Sequence, residues 1–83
     1  MLTIKVLGPG CDNCKKLDAL AHKAAQSMGL QAKFIKVTDS AEMKQYNILS
    51  TPGLVINEKL VSAGRIPSVA EISTFLANAL EAA

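Results

Sequence analysis

The chain has no tryptophan and only two cysteines, Cys11 and Cys14, among its 83 residues. Secreted domains that depend on disulfide bonds usually carry about four to eight cysteines, so this chain is not a disulfide framework. Its length suits one domain, and we expect a single domain over residues 1–83. A core of this size stabilises a fold only modestly.

The chain also has no block of like charge and no long apolar run. Nine basic and seven acidic residues are mixed along it, for a net charge of +2, which gives little support for nucleic-acid binding. No apolar stretch approaches the roughly 20 residues that span a bilayer. Lys5 interrupts the first apolar run, so we expect no secretory signal. The sequence therefore predicts a cytoplasmic protein that binds neither nucleic acid nor membrane.

The spacing of apolar residues predicts seven secondary-structure elements, because alternation indicates strands and a period near 3.6 indicates helices. In order, they are a strand at 2–7, a helix at 12–28, a strand at 31–37, a short helix from Asp39 to about Tyr46, strands at 53–57 and 59–63 that form a hairpin, and a C-terminal helix. A helix joins the first two strands, so we expect them to be parallel. The prediction is an α/β fold, β-α-β-α-β-β-α, with a four-stranded mixed sheet and helices on both faces.

Both long helices are predicted to be amphipathic. The apolar face of the first helix comprises Cys14, Leu17, Leu20, Ala21, Ala24 and Met28. That of the last comprises Val69, Ile72, Phe75 or Leu76, and Leu80. Two capping-box patterns, Asp39-x-x-Glu42 and Ser68-x-x-Glu71, mark the starts of the later helices.

The two cysteines lie in the sequence GPGCDNCKK, at the predicted junction between the first strand and the first helix. The unpaired N–H groups of the first helical turn and the positive end of the helix dipole favour a thiolate at Cys11. Lys15 and Lys16 add positive charge and Asp12 opposes it, so we expect a moderately lowered pKa for the Cys11 thiol. Cys14 falls one turn later on the buried face, where thiols react slowly. This asymmetry predicts that Cys11 attacks a disulfide and that Cys14 resolves the mixed disulfide that results.

The chain resembles the thioredoxin and glutaredoxin superfamily over nearly its whole length. The resemblance rests on Cys11-Asp12-Asn13-Cys14 at a strand-to-helix junction, on Thr51-Pro52 before a hairpin and on the order of the elements. The segment YNILSTPGLVI is similar to the thioredoxin stretch that contains a cis-proline. The Gly-x-Gly-Cys-x-x-Cys pattern is most similar to small bacterial and archaeal thioredoxin-like proteins.

This resemblance implies a thioredoxin-like fold and a thiol–disulfide oxidoreductase with no bound cofactor or metal. The implied catalytic residues are Cys11 and Cys14. Pro52 would be cis and lie beside the CxxC motif, and Thr51, Pro52 and Gly10 would bind an extended client peptide. The implied partners are client proteins with disulfides and an electron donor of the thioredoxin-reductase type, flavin-dependent or ferredoxin-linked. Nothing in the sequence demands more than a monomer.

The chain departs from the family pattern, among other places, between its cysteines and after its hairpin. It has Asp12-Asn13 between the cysteines, where thioredoxins have Gly-Pro and glutaredoxins usually have Pro-Tyr. The region from Ala63 to Ser68 lacks the Gly-Gly-x-Asp turn through which glutaredoxins bind glutathione. Glutathione as the reductant therefore stays open, with Arg65 as the candidate contact for its carboxylate.

Two other functions also stay open. A soft thiolate pair suits Cu(I), and copper-chaperone domains carry G-x-x-C-x-x-C between a first strand and a first helix. Those domains run β-α-β-β-α-β, unlike the order predicted here. A redox-responsive binding module without catalytic turnover is the third reading. His22 lies off the apolar face, and we expect it to be solvated on the surface rather than a catalytic base.

Overall fold

The computed structural model describes residues 2–10, 12–48 and 50–82 of the chain. Its elements follow in the order β1 (Leu2–Leu7), α1 (Asp12–Ser27), β2 (Ala32–Val37), α2 (Ser40–Lys44), β3 (Gly53–Ile56), β4 (Lys59–Ala63) and α3 (Val69–Ala82). This confirms the predicted order, β-α-β-α-β-β-α, which ends in a helix and differs from the order in copper-chaperone domains.

Strand β1 lies inside the four-stranded sheet, whose order is β2-β1-β3-β4. It pairs with β2 in parallel and with β3 antiparallel, and β3 pairs with β4 as an antiparallel hairpin. The parallel pair follows from the helix that connects β1 to β2, since parallel strands need a long crossover. The sheet is therefore mixed, as predicted.

The helices cover both faces of the sheet. Helices α1 and α3 pack on one face, over a buried cluster formed by Leu2, Ile4, Val6, Leu17, Ala21, Ala24, Ala25, Leu54, Ile56, Ile72 and Leu76. Helix α2 covers the other face, where Met43 packs with Leu7, Val37 and Val55. Burial of these apolar side chains is the main favourable contribution to the stability of the fold.

Two details of the helices differ from the predictions. Leu80 was predicted on the buried stripe of α3 but is 45% exposed. Because successive helical residues are separated by about 100°, Ala79 lies near the centre of the stripe through Ile72 and Leu76, and Leu80 lies at its margin. Helix α2 is also shorter than predicted. Asp39 caps it from outside, with an oxygen of its side chain accepting a hydrogen bond from the Ala41 N–H at 2.9 Å.

A polar network joins β1 to the turn of the β3–β4 hairpin. Lys5 Nζ lies 2.7 Å from Glu58 Oε1 and donates to Tyr46 Oη at 2.8 Å. The Tyr46 hydroxyl donates to Glu58 Oε2 at 2.7 Å. Asn57 adds a backbone link, since its N–H donates to the Thr3 carbonyl at 2.8 Å and its side-chain oxygen accepts from the Thr3 N–H at 3.0 Å. The turn is therefore fixed to the central strand.

We predict that the contribution of Glu58 to stability depends on pH. The hydrogen bond from Lys5, with a second from Tyr46, holds the pKa of the Glu58 carboxyl below its ordinary value. A carboxyl with a depressed pKa in the folded state stabilises the fold above its unfolded pKa of about 4.3 and loses that effect as the pH falls. Urea unfolding should therefore show Glu58→Gln less stable than wild type at pH 7, with the difference shrinking below about pH 4.

Glu81→Gln is the matched control for this prediction, because it removes the same charge at the end of α3. Its difference from wild type should change little over the same pH range. A deficit of Glu58→Gln that stays constant from pH 7 down to about pH 2.5 would contradict the role assigned to the ion pair.

Candidate active site at the end of strand β1

Cys14 is the described member of the cysteine pair, and Cys11 lies outside the described residues. Cys14 is the third residue of α1 and is only 5% exposed. Its side chain belongs to the buried face of the helix, together with Leu17 and Ala21. The predicted burial of Cys14 is confirmed. Its cause is the helical period, which places residues 14, 17 and 21 on the side of α1 that faces the sheet.

Gly8 brings the main chain next to the Cys14 sulfur. It directly follows β1, is buried, and donates its N–H to the Val37 carbonyl at 2.9 Å. A Cβ atom at Gly8 would overlap Cys14 Sγ and would lie 3.8 Å from Thr51 Cβ. The sulfur and the Thr51 side chain therefore both lie next to Gly8, and the sulfur leaves room there only for glycine.

Thr51 and Pro52 reach this point through the pairing of β1 with β3. Leu7 is the partner of Gly53 in that antiparallel pair, so Pro52, just before Gly53, lies across from Gly8, just after Leu7. The Thr51–Pro52 peptide bond is cis. Pro52 is buried and Thr51 is exposed. The structure thus places an exposed backbone segment beside the buried sulfur.

Two further glycines hold the segment around Pro52. The N–H of Gly64 donates to the Pro52 carbonyl at 2.9 Å, and a side chain at Gly64 would overlap Ser50 Oγ. A side chain at Gly53 would overlap Ile48. The segment before β3 therefore packs directly on the backbone of β3 and on the residue that follows β4.

Gly10 lies on the other side of the cysteine. It is exposed, has a φ of +88° and lines a cavity of about 60 Å³. The described residues that line this cavity are Val6, Gly8, Gly10, Cys14, Lys15, Lys36 and Thr38. The candidate site therefore has two sides, with Thr51 and Pro52 toward β3 and the cavity toward the edge strand β2.

The sequence analysis missed Gly8 and Lys36 as parts of this site. Gly8 appeared there only as part of the Gly-x-Gly-Cys-x-x-Cys pattern, without a predicted contact with Cys14, although its position before a helical cysteine was the available signal. Lys36 had no local signal. Lys36 lies at the site because β2 runs parallel to β1 and pairs Lys36 with Val6. This register is set only when the two strands pair in the folded chain.

His22 is exposed, as predicted, but it is more than a solvated side chain. Its ring stacks on Phe34, with centroids 3.6 Å apart and planes 17° apart. Its Nε2 lies 3.5 Å from Asp18 Oδ1, one helical turn earlier. These contacts give His22 a packing role between α1 and the edge strand β2.

Arg65 has a partner within the chain. Its two terminal guanidinium nitrogens donate to the two carboxylate oxygens of Glu71 at 3.2 and 2.8 Å. Glu71 also accepts from the Ser68 N–H at 3.4 Å, and the Ser68 hydroxyl accepts from the Glu71 N–H at 3.2 Å, so this capping box is confirmed. Arg65, the candidate contact for glutathione, is therefore paired with Glu71 at the start of α3.

No three side chains of His, Cys, Asp or Glu in residues 2–10, 12–48 and 50–82 lie close enough together to hold a metal ion. In the same part of the chain, no helix has the length and apolar character needed to cross a membrane.

The fold is that of thioredoxins. Over 93% of this chain and 79% of the other, it matches the solution structure of oxidised thioredoxin from Plasmodium falciparum with a TM-score of 0.62, at 19% sequence identity. At that identity the likeness shows the fold alone. A sheet of this order with a cysteine at the start of α1 and Pro52 beside it defines the class of thioredoxin-like proteins.

The chain belongs to the thioredoxin domain family, whose model matches residues 2–77. It is 36% identical to a thioredoxin of Methanocaldococcus jannaschii over 81 residues, which cover 98% of this chain and 93% of that protein. It is 32% identical to a thioredoxin of Methanothermobacter thermautotrophicus over 76 residues, which cover 92% and 99%. At the level of the family, it is a thioredoxin-like redox protein and a thiol–disulfide oxidoreductase.

We predict that Gly8→Ala is destabilising because of the Cys14 sulfur. Gly8 is not among the residues with positive φ, so alanine fits its backbone and the cost comes from the overlap with Sγ. Overpacking of this kind costs about 1–3 kcal/mol. Denaturant unfolding should show that cost in the wild-type background.

The control is the same substitution made together with Cys14→Ala, which removes the sulfur. In that background Gly8→Ala should cost little or should even stabilise the fold by up to about 1 kcal/mol, because alanine fits this backbone and reduces the freedom of the unfolded chain. An equal cost in both backgrounds would show that the sulfur and Gly8 are not in contact.

Proposed function

We propose that this protein reduces disulfide bonds of client proteins by reversible oxidation of Cys11 and Cys14. The observation that carries the proposal is that the buried Cys14 sulfur and the exposed Thr51 both lie next to Gly8, at the end of β1. The chain also belongs to the thioredoxin domain family. The sequence supplies a second cysteine three residues before Cys14.

The reaction is two successive thiol–disulfide exchanges. The Cys11 thiolate attacks one sulfur of the client disulfide. A mixed disulfide forms, and the other client sulfur leaves as a thiolate that takes up a proton. The Cys14 thiolate then attacks the Cys11 sulfur of the mixed disulfide, so that the Cys11–Cys14 disulfide forms and the second client thiol is released. Two electrons pass from the protein to the client.

The two cysteines have different roles because their surroundings differ. Cys14 is 5% exposed, so a bulky client disulfide has little access to it, whereas a mixed disulfide on its neighbour in the sequence is within its reach. Cys11 is therefore assigned the first attack and Cys14 the resolving step. The burial of Cys14 supports this order.

Client binding is assigned to the segment at Thr51 and Pro52, with Gly10 on the opposite side. Thr51 is exposed next to the sulfur, and its main chain is available to an extended client peptide that adds along it. The bond from Gly64 to the Pro52 carbonyl, at 2.9 Å, holds this segment in place. Specificity from such backbone pairing is low, which suits a protein with several clients.

The cycle needs an external reductant, because each turnover leaves Cys11 and Cys14 oxidised. We assign this step to an electron donor of the thioredoxin-reductase type in the cytoplasm, where thiols are kept reduced. No resident cofactor takes part in the two exchanges. The protein is proposed to act as a monomer formed by one domain.

The proposal predicts different outcomes for the two cysteine substitutions. With a disulfide-linked peptide and a dithiol as the electron source, Cys11→Ser should reduce the peptide no faster than the dithiol alone. Cys14→Ser should retain the first attack and accumulate a mixed disulfide, visible by intact mass as the protein plus one peptide thiol. Asn13→Ser is the control, because it changes a residue of the same segment without removing a thiol.

Reductase activity retained by Cys11→Ser would contradict the assignment. A protein that forms its disulfide reversibly but turns over no disulfide peptide would instead be a redox-responsive binding module. Protection of both thiols from alkylation by Cu(I) at stoichiometric concentration, without turnover, would indicate a soft-metal carrier.

A further inference from the structure

The cavity of about 60 Å³ beside Cys14 draws its lining from two separate parts of the chain. Lys15 comes from the first turn of α1 and Lys36 from the end of β2. In the parallel register Lys36 is the partner of Val6, and Val6 packs in the cluster under α1 and α3. Register partners point to the same face of a sheet, so Lys36 lies on the α1 side of β2. There it lines the same cavity as Lys15.

This cavity lies on the opposite side of β1 from the client segment. The sheet order is β2-β1-β3-β4, so Lys36 flanks Gly8 from the β2 side and Thr51 flanks it from the β3 side. A client chain that crosses the end of β1 with one part against Thr51 therefore has its other part over the cavity.

The charges around the cavity are of one sign. Both lysines are exposed, and none of the described residues that line the cavity is acidic. Within the described residues, neither Lys15 nor Lys36 forms an ion pair, whereas Lys5 is paired with Glu58 and Arg65 with Glu71. Two ammonium groups thus border one small space beside the Cys14 sulfur, and no carboxylate among the described residues lines it.

We propose that this cavity binds the carboxylate of an acidic side chain close to the disulfide of the client, an inference that rests on the proposed function. A cavity of about 60 Å³ is large enough to hold a carboxylate group, since about 10–15 Å³ already holds a water molecule. Gly10 adds no side chain to its lining. Lys15 and Lys36 would select acidic clients and speed their association, since surface charges act mainly on specificity and association rate.

The test compares two disulfide-linked peptides that differ only by Glu or Gln two residues from the reacting cysteine. The kcat/KM of wild type should favour the Glu peptide by about threefold to fivefold at low salt, as for an exposed ion pair. Lys36→Gln and Lys15→Gln should each lose most of this preference, measured within each variant as the ratio of kcat/KM for the Glu peptide to kcat/KM for the Gln peptide. Moderate salt should reduce the preference of wild type, because it screens exposed charges.

Lys33→Gln is the matched control. It removes the same charge from the same strand, and its register partner is Thr3, one position from Ile4, so its side chain points away from the α1 side. Lys33→Gln should keep the full preference for the Glu peptide. An equal loss in Lys33→Gln would show that net charge alone causes the preference and would overturn the cavity as the binding site.

The remaining outcomes separate this proposal from the proposed function. If wild type reduces both peptides equally well at low salt, the carboxylate site is wrong and the reductase stands. If wild type reduces neither peptide, the reductase is wrong and the carboxylate site falls with it.

Discussion

The hydrogen bonding of β1 to a strand on each side is the constraint on which the site depends. Three of its residues, Leu2, Ile4 and Val6, pack under α1 and α3, and Leu7 packs under α2. A strand that is buried on both faces and paired on both edges has little freedom to shift, because a one-residue slip would invert every side chain. Gly8 continues this strand and is bonded to Val37. Its position beside the Cys14 sulfur is therefore a direct consequence of the sheet.

The site is assembled by close approach of backbone rather than by interlocking side chains. Because Gly8 has no side chain, there is room for the Cys14 sulfur. The absence of a side chain at Gly64 likewise leaves room for Ser50, next to the segment of Pro52. The buried Cys14 thiol and the exposed segment at Thr51 are therefore both fixed relative to the sheet. A client bound along Thr51 would then have a fixed position relative to the two cysteines. Such preorganisation lowers the entropic cost of the reacting geometry. The charged side chains Lys15 and Lys36 add discrimination on the opposite side.

Local signals were enough to predict most of the fold. Alternation identified β1, the 3.6 period identified the buried face of α1, and the Ser68-x-x-Glu71 capping box forms as predicted, since these patterns depend on neighbours in the sequence. Contacts between distant segments could not be predicted. The stacking of His22 on Phe34 and the position of Lys36 and Lys15 at one cavity both require the docking of α1 on β2.

The reduction potential of the Cys11–Cys14 pair tests the central claim most directly. It is obtained by alkylation and intact-mass measurement across dithiol redox buffers, after removal of metals. The account predicts a reversible two-electron transition between roughly −180 and −280 mV, the range of thioredoxins and glutaredoxins. A value near the lower limit would fit a reductase of client proteins. The absence of a reversible transition would contradict the account and favour metal transport by the same two thiols.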